Sequence, residues 1–223
     1  GLLIPQDTQS ADGKNKPKAW TVVPQDDADY PFQGEYLGSK INDCRQCEPV
    51  GLQVVAMGDA KFSAVEYHGG LPGYGWPIGG DRAKYQGTRE GNVLTLTGEH
   101  QQITIKNGHS VIKSIGEYAR QVGTASFVTR QSATLGACRP CNAIALFDGT
   151  NTDLLKNGQM TDDGLLKEGT ETRDAYGDLR LHLEFRLPYM PNAVGQQRAN
   201  SGIYIQSRYE VQVLDSFGLD GAF

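Results

Sequence analysis

Residues 177–216 read GDLRLHLEFRLPYMPNAVGQQRANSGIYIQSRYEVQVLDS, and the fold turns on them. Leu179, Leu181, Leu183, Phe185 and Leu187 alternate with Arg180, His182, Glu184 and Arg186. A period of two is the signature of a β-strand with one apolar face and one charged face. A second run covers residues 201–206. In a third, Glu210, Gln212 and Leu214 share one phase, and Tyr209, Val211, Val213 and Asp215 share the other. The sequence therefore predicts a sheet whose polar face carries His, Glu, Arg, Asn and Gln. Such a face is either solvated or a polar ligand surface.

Outward from this stretch the pattern stays β. Apolar or alternating runs at residues 33–37, 52–57, 61–67, 84–88, 93–97, 101–106 and 110–115 predict strands. Gly58-Asp59, Glu90-Gly91-Asn92 and Asn107-Gly108 sit between them as turns, and Asn-Gly is the strongest hairpin signal of the three. Residues 118–129 are mixed and predict a last strand. Helix caps and 3.6-residue periodicity are scarce. The expected organisation is an extended polar arm over residues 1–24 and a small all-β domain over 25–131. A linker over 132–142 follows, then a second β-domain over 143–223, opening with a short strand at 143–147.

Composition narrows the function classes. The 28 glycines suit a chain with many tight turns. The net charge is −5, all of it in residues 143–223, so nothing offers the basic surface that nucleic acid requires. No apolar run is long enough for a membrane-spanning helix. The opening GLLIPQ lacks Met and is too short for a signal peptide, which reads as a mature or proteolysed terminus.

Three segments together carry a resemblance: LFDGTN (residues 146–151), YGDLRLHLEFRLP (176–188) and NSGIYIQSRYEVQVLDS (200–216). In that order and spacing they resemble the 3-keto-disaccharide hydrolase domain family. The resemblance implies a concanavalin A-like jelly-roll β-sandwich, of which residues 143–223 supply only the first part. Further strands are expected from a missing C-terminal half or a partner chain. QGEYLG, GLQVVAMGDAKFSAVEYHGGLPGYGW and SATLGA are similar to the small β-domain that precedes the hydrolase domain in some multidomain members. The resemblance also implies a secreted or periplasmic setting and a carbohydrate partner.

The implied reaction cleaves a glycoside already oxidised to a ketone at C3. The ketone acidifies the C2 proton, a base removes it, the C1 aglycone leaves, and water adds back. That chemistry needs a base, a donor for the enolate oxygen and an acid at the leaving group. Glu210 and Glu184 are the expected carboxylates, with Arg186 either holding a carboxylate ionised or polarising the ketone. His182, Asn200, Gln212 and Tyr204 are the expected substrate contacts. These residues are expected to converge in one hollow formed by neighbouring strands. Alternating charges on a strand are also the ordinary composition of a solvent face. A non-catalytic carbohydrate-binding or structural subunit is therefore the alternative.

The remaining motifs concern binding or stability. Cys44 and Cys47 (CRQC) and Cys138 and Cys141 (CRPC) form two C-x-x-C pairs. They suit disulfides, with three pairings open, or a four-thiolate zinc site, and an oxidising compartment favours the disulfides. No cofactor is otherwise required, although a hard cation at Asp148 or Asp215 fits the residue type. Tyr74 and Trp76, in the loop HGGLPGYGWP, form either a sugar-stacking platform or a small packed core of their own. His68, His100 and His109 read as surface residues.

Overall fold

A computed structural model describes residues 2–3, 17–42 and 44–218. These residues contain no α-helix, only β-strands and two 3₁₀ turns, so the chain is all-β as its periodicity predicts. None of the described helices is long and apolar enough to cross a membrane. The polar arm lies largely outside the described residues. The chain divides into two compact units.

One unit comprises Val23–Arg130, Pro191–Ala193 and the residues from Ser216 onward. Eight antiparallel strands form a closed barrel in sequence order: β1 Gly34–Ile41, β2 Cys47–Ala56, β3 Lys61–His68, β4 Arg82–Glu90, β5 Val93–Thr97, β6 Gln101–Lys106, β7 His109–Ser114 and β8 Gln121–Val128. Each strand pairs with the next, and β8 closes onto β1 from Gly123↔Lys40 to Val128↔Glu35. Closure removes the unpaired edges that an open meander would expose.

Alternation decides which side chains fill the barrel. Tyr36, Leu52, Val54, Phe62, Leu94, Leu96, Ile103, Ile105 and Ile112 point inward and are buried. Strand β2 is buried on both faces. Its outer face is covered near Gly51 by Gly70 and Leu71, and at Gln53 and Val55 by Tyr67 and Gly218. One end of the barrel is plugged by the 3₁₀ turn Tyr30–Phe32. There Phe32 packs edge-on against Phe62, and Asp29 accepts from the Arg89 Nε at 2.7 Å and the Ala60 amide at 3.0 Å.

The other unit comprises residues up to Val22, Gln131–Met190 and Val194–Asp215. Its regular structure is sparse: β9 Leu155–Lys156 pairs with β10 Glu171–Thr172, and β11 Ser201–Ile205 forms a hairpin with β12 Tyr209–Val213. Leu2–Leu3 pairs with β11 on its other edge. Trp20 and Tyr189 exchange backbone hydrogen bonds and pack their rings in a tilted contact, with centroids 5.4 Å apart. Beneath the hairpin, Arg198 Nε donates to Asp215 at 2.7 Å, both side chains being buried.

Two expectations fail here. Residues 143–147 form no strand. The strongly alternating run at residues 179–187 has no ladder partner among the described residues, and Leu179, Leu181, Phe185 and Leu187 are exposed. The alternation fixes side-chain phase, but a strand becomes part of a sheet only through a neighbour.

Candidate functional site

The hairpin β11–β12 assembles three of the expected residues on one face. Tyr204 lies opposite Glu210 and Gly202 opposite Gln212, so the Tyr204, Glu210 and Gln212 side chains share one side. The Tyr204 hydroxyl bonds the Glu210 carboxylate. That bond, with partial desolvation and the carboxylate's charge, pushes the phenol above its ordinary range. A Cβ at Gly202 would overlap the Glu210 carboxylate, so glycine lets the acid lie flat across the neighbouring strand. The hairpin turn itself holds Gln206 and Ser207 in left-handed backbone at φ 54° and 51°.

Beside the acid, three amides interlock. Gln212 Nε2 donates to Asn200 Oδ1 at 2.9 Å and to Gln196 Oε1 at 2.8 Å, and Asn200 Nδ2 donates to Gln196 Oε1 at 3.0 Å. Gln196 sits in the short 3₁₀ turn Gly195–Gln197, and sequence reading missed it. Only its position four residues before Asn200 hints at the contact. The face thus presents a carboxylate, a phenol and fixed amide dipoles, the groups that move a proton and orient hydroxyls.

The other expected residues have different partners. Glu184 accepts from the Gly136 amide at 2.6 Å, with His182 Nε2 at 3.2 Å. The Gly136 bond, then His182, holds the Glu184 carboxyl below its ordinary range. Arg186 donates to Asp163 at 2.6 Å. Residues 179–187, which carry Glu184 and Arg186, have no ladder to β11 or β12 among the described residues. Asp215, one of the two cation candidates, pairs with Arg198. Asp148 is occupied by the Thr150 amide and hydroxyl, at 3.1 and 2.6 Å.

Cys44, Cys47, Cys138 and Cys141 are all exposed, with no disulfide joining any of them in this structure. Among the described residues, no three His, Cys, Asp or Glu side chains converge as a metal site.

The barrel holds a second ionic cluster, at the end opposite Phe32. Lys40 Nζ bonds Glu66 Oε1, the Lys40 side chain being 6% exposed and that of Glu66 0%. His68 Nε2 lies 3.2 Å from Lys40 Nζ and 3.3 Å from Glu66 Oε1. Tyr85 donates to the other Glu66 oxygen at 3.1 Å and also contacts Gln101 at 3.1 Å. Burial pushes the Glu66 carboxyl up, but bonds from His68, Lys40 and Tyr85 outweigh it and hold the group below its ordinary value. Burial, then the Glu66 charge, pushes the Tyr85 phenol well up. The surface reading of His68 is thus corrected: it caps a buried ion pair. The signal was present, because Phe62, Ala64, Glu66 and His68 share one phase, and an acid among inward apolar residues needs a partner.

Residues 142–222 match the family model of a 3-keto-alpha-glucoside-1,2-lyase-like domain. All three segments that carried the resemblance lie inside the match, which covers a little over a third of the chain. The barrel lies outside it. No curated protein and no solved structure matches the chain.

Proposed function

We propose that the chain acts on carbohydrate and that the β11–β12 face cleaves 3-keto-glycosides by elimination and hydration. The observation that carries this reading is the Tyr204–Glu210 pair beside the Asn200–Gln212–Gln196 amides, inside the segment matching the lyase-like family. Glu210 takes the C2 proton, and the C2–H electrons pass into the C3 carbonyl as an enolate. The enolate collapses to a C1–C2 double bond and expels the C1 oxygen, which takes the proton that Glu210 has removed from C2 and so returns the carboxylate to its starting state. Tyr204, as a neutral phenol, is the donor to the developing charge. Water then adds across the double bond and restores a 3-keto sugar. Asn200 and Gln212 hold hydroxyls through dipoles that Gln196 has already oriented.

The test is turnover of 4-nitrophenyl 3-keto-α-glucoside in deuterated water. Elimination predicts deuterium at C2 of the released sugar, loss of at least 100-fold in kcat for Glu210→Gln, and a smaller loss for Tyr204→Phe. Product without C2 deuterium, or full activity in Glu210→Gln, would overturn the mechanism. The exposure of Glu210 and Gln212 favours one second reading, a binding face without turnover. In that case the 3-keto-glycoside binds, Glu210→Gln weakens binding, and no product forms.

A further inference from the structure

We propose that the barrel carries its own carbohydrate-binding site, a groove beside Tyr74 that stacks one face of an α-glucoside ring. The inference rests on the carbohydrate reading above but concerns a different surface. The groove, about 320 Å³, is lined by Leu37, Gly38, Pro49, Gly69, Gly70, Tyr74 and Gly75. That volume suits a small ligand.

The loop divides its aromatics. Trp76 folds inward, 9% exposed, and packs edge-on against Tyr67 at 5.3 Å. Leu71 is fully buried on the other side. Tyr74 lies between these two anchors with 61% of its surface exposed. The tip is held rigidly: the amides of Leu71 and Tyr74 each donate to the other's carbonyl, at 2.9 and 2.8 Å. Arg130 Nη1 donates to the Pro72 carbonyl at 3.0 Å while its other nitrogens hold Glu35. An exposed ring on an immobilised loop loses little entropy on binding.

The glycines give the groove its shape. Gly69, Gly70, Gly73 and Gly75 have φ between +71° and +136°, backbone that other residues rarely adopt. A Cβ on Gly70 or Gly75 would also strike the carbonyl of Tyr74 or Gly69, each 2.4 Å away. The part of the wall formed by Gly69, Gly70 and Gly75 is therefore peptide backbone, and Leu37 and Pro49 add apolar side chains to it.

This chemistry selects the occupant. None of the lining residues is cationic or acidic, so a charged ligand has no counter-charge. A wholly apolar ligand would leave its far side in water. A pyranose fits both demands: its C–H face lies on the phenol ring, and its hydroxyls meet peptide groups and solvent. The chain's lyase-like segment names α-glucosides as the sugar class to try first.

The experiment is saturation-transfer and chemical-shift NMR of the whole chain with methyl α-glucoside, maltose and maltotriose, none of them a 3-keto substrate. Wild type is expected to bind in the millimolar range, with ring protons of the sugar receiving saturation. Tyr74→Ala is expected to lose at least 10-fold in affinity, while Tyr74→Phe stays within about 2-fold because the ring stacks. Unchanged Trp76 fluorescence shows that the loop still folds. Wild-type affinity in Tyr74→Ala, or no binding by wild type, overturns the proposal. The two functional readings separate cleanly. Glu210→Gln leaves glucoside binding unchanged, and Tyr74→Ala leaves turnover of the small 3-keto-glycoside unchanged.

Discussion

Replacing Lys40 by Met probes the ion pair inside the barrel with little change in shape. Met keeps an unbranched stem and removes only the ammonium, so no sizeable cavity opens. Glu66, 0% exposed, is left with His68 and Tyr85 as its remaining bonds. Breaking a buried pair by removing one partner costs about 3–5 kcal/mol, because the other charge stays desolvated. For a barrel of this size that corresponds to a fall in Tm of roughly 15–30 °C. Urea unfolding followed by Trp76 fluorescence, in a Trp20→Phe background, reads the barrel alone.

Two controls sharpen the result. Lys40→Met with Glu66→Met removes both charges and should recover most of the loss, because buried pairs are often matched by apolar residues of similar volume. Tyr85 keeps Gln101 as a partner in that variant. The second control is pH. In the wild type, Glu66 has a folded pKa below its ordinary 4.5. Its stabilisation is therefore complete above about pH 4.5 and disappears as pH falls through the folded value. In Lys40→Met the carboxyl protonates more readily, so the gap between wild type and variant should narrow as pH drops below 4.5. A loss under 1 kcal/mol at pH 7, or a gap that widens in acid, would refute the reasoning.

Three more predictions follow from other sites. Arg198→Met removes the ion-pair partner of the buried Asp215 and should destabilise the second unit by about 3–5 kcal/mol in urea unfolding, against a change near zero for an exposed pair such as Lys156–Glu171. Gly51→Ala puts a methyl 2.6 Å from the Gly70 carbonyl and 2.8 Å from a Leu71 methyl. It should cost about 1–3 kcal/mol by overpacking and weaken glucoside binding at Tyr74, which calorimetry and NMR would read. The four exposed thiols should all alkylate in native buffer, giving four added groups by intact mass, and a closed pair would leave two unmodified.

The barrel strands were legible because each sits beside its neighbour in sequence. Period-two runs name the strands and Asn107-Gly108 or Gly58-Asp59 names the turn, so local information suffices. Closure was not legible, since β8 meets β1 across some 85 residues and nothing local specifies that register. Trp76 packs inward as one of the two readings expected, whereas Tyr74 does not follow it. The two differ only in which side of a glycine turn they occupy, and composition does not encode that. Tyr204, Glu210 and Gln212 share a face because hairpin partners share phase, whereas Gln196 was not expected there because it reaches Asn200 and Gln212 from a 3₁₀ turn.

The same phase argument succeeds for Glu66 and fails for Glu184, and the difference is physical. On β3, the phase of Phe62, Ala64 and Glu66 has meaning because β2 and β4 flank the strand and fix which side is inside. An acid in that phase must be buried, so it must also be paired, and Lys40, His68 and Tyr85 are there. Residues 179–187 show cleaner alternation than β3, yet among the described residues no strand lies on either side of them. Leu179, Leu181 and Leu187 are therefore exposed along with the charges, and Glu184 accepts from the Gly136 amide with His182 beside it. Glu210 and Tyr204 occupy the intermediate case: one ladder, between β11 and β12, fixes their mutual geometry but leaves their face open to solvent. An open carboxylate–phenol pair with pre-set amides is poised for a ligand in a way that the closed Lys40–Glu66 cluster is not. The catalytic proposal therefore belongs to the hairpin, and stability to the barrel's ion pair.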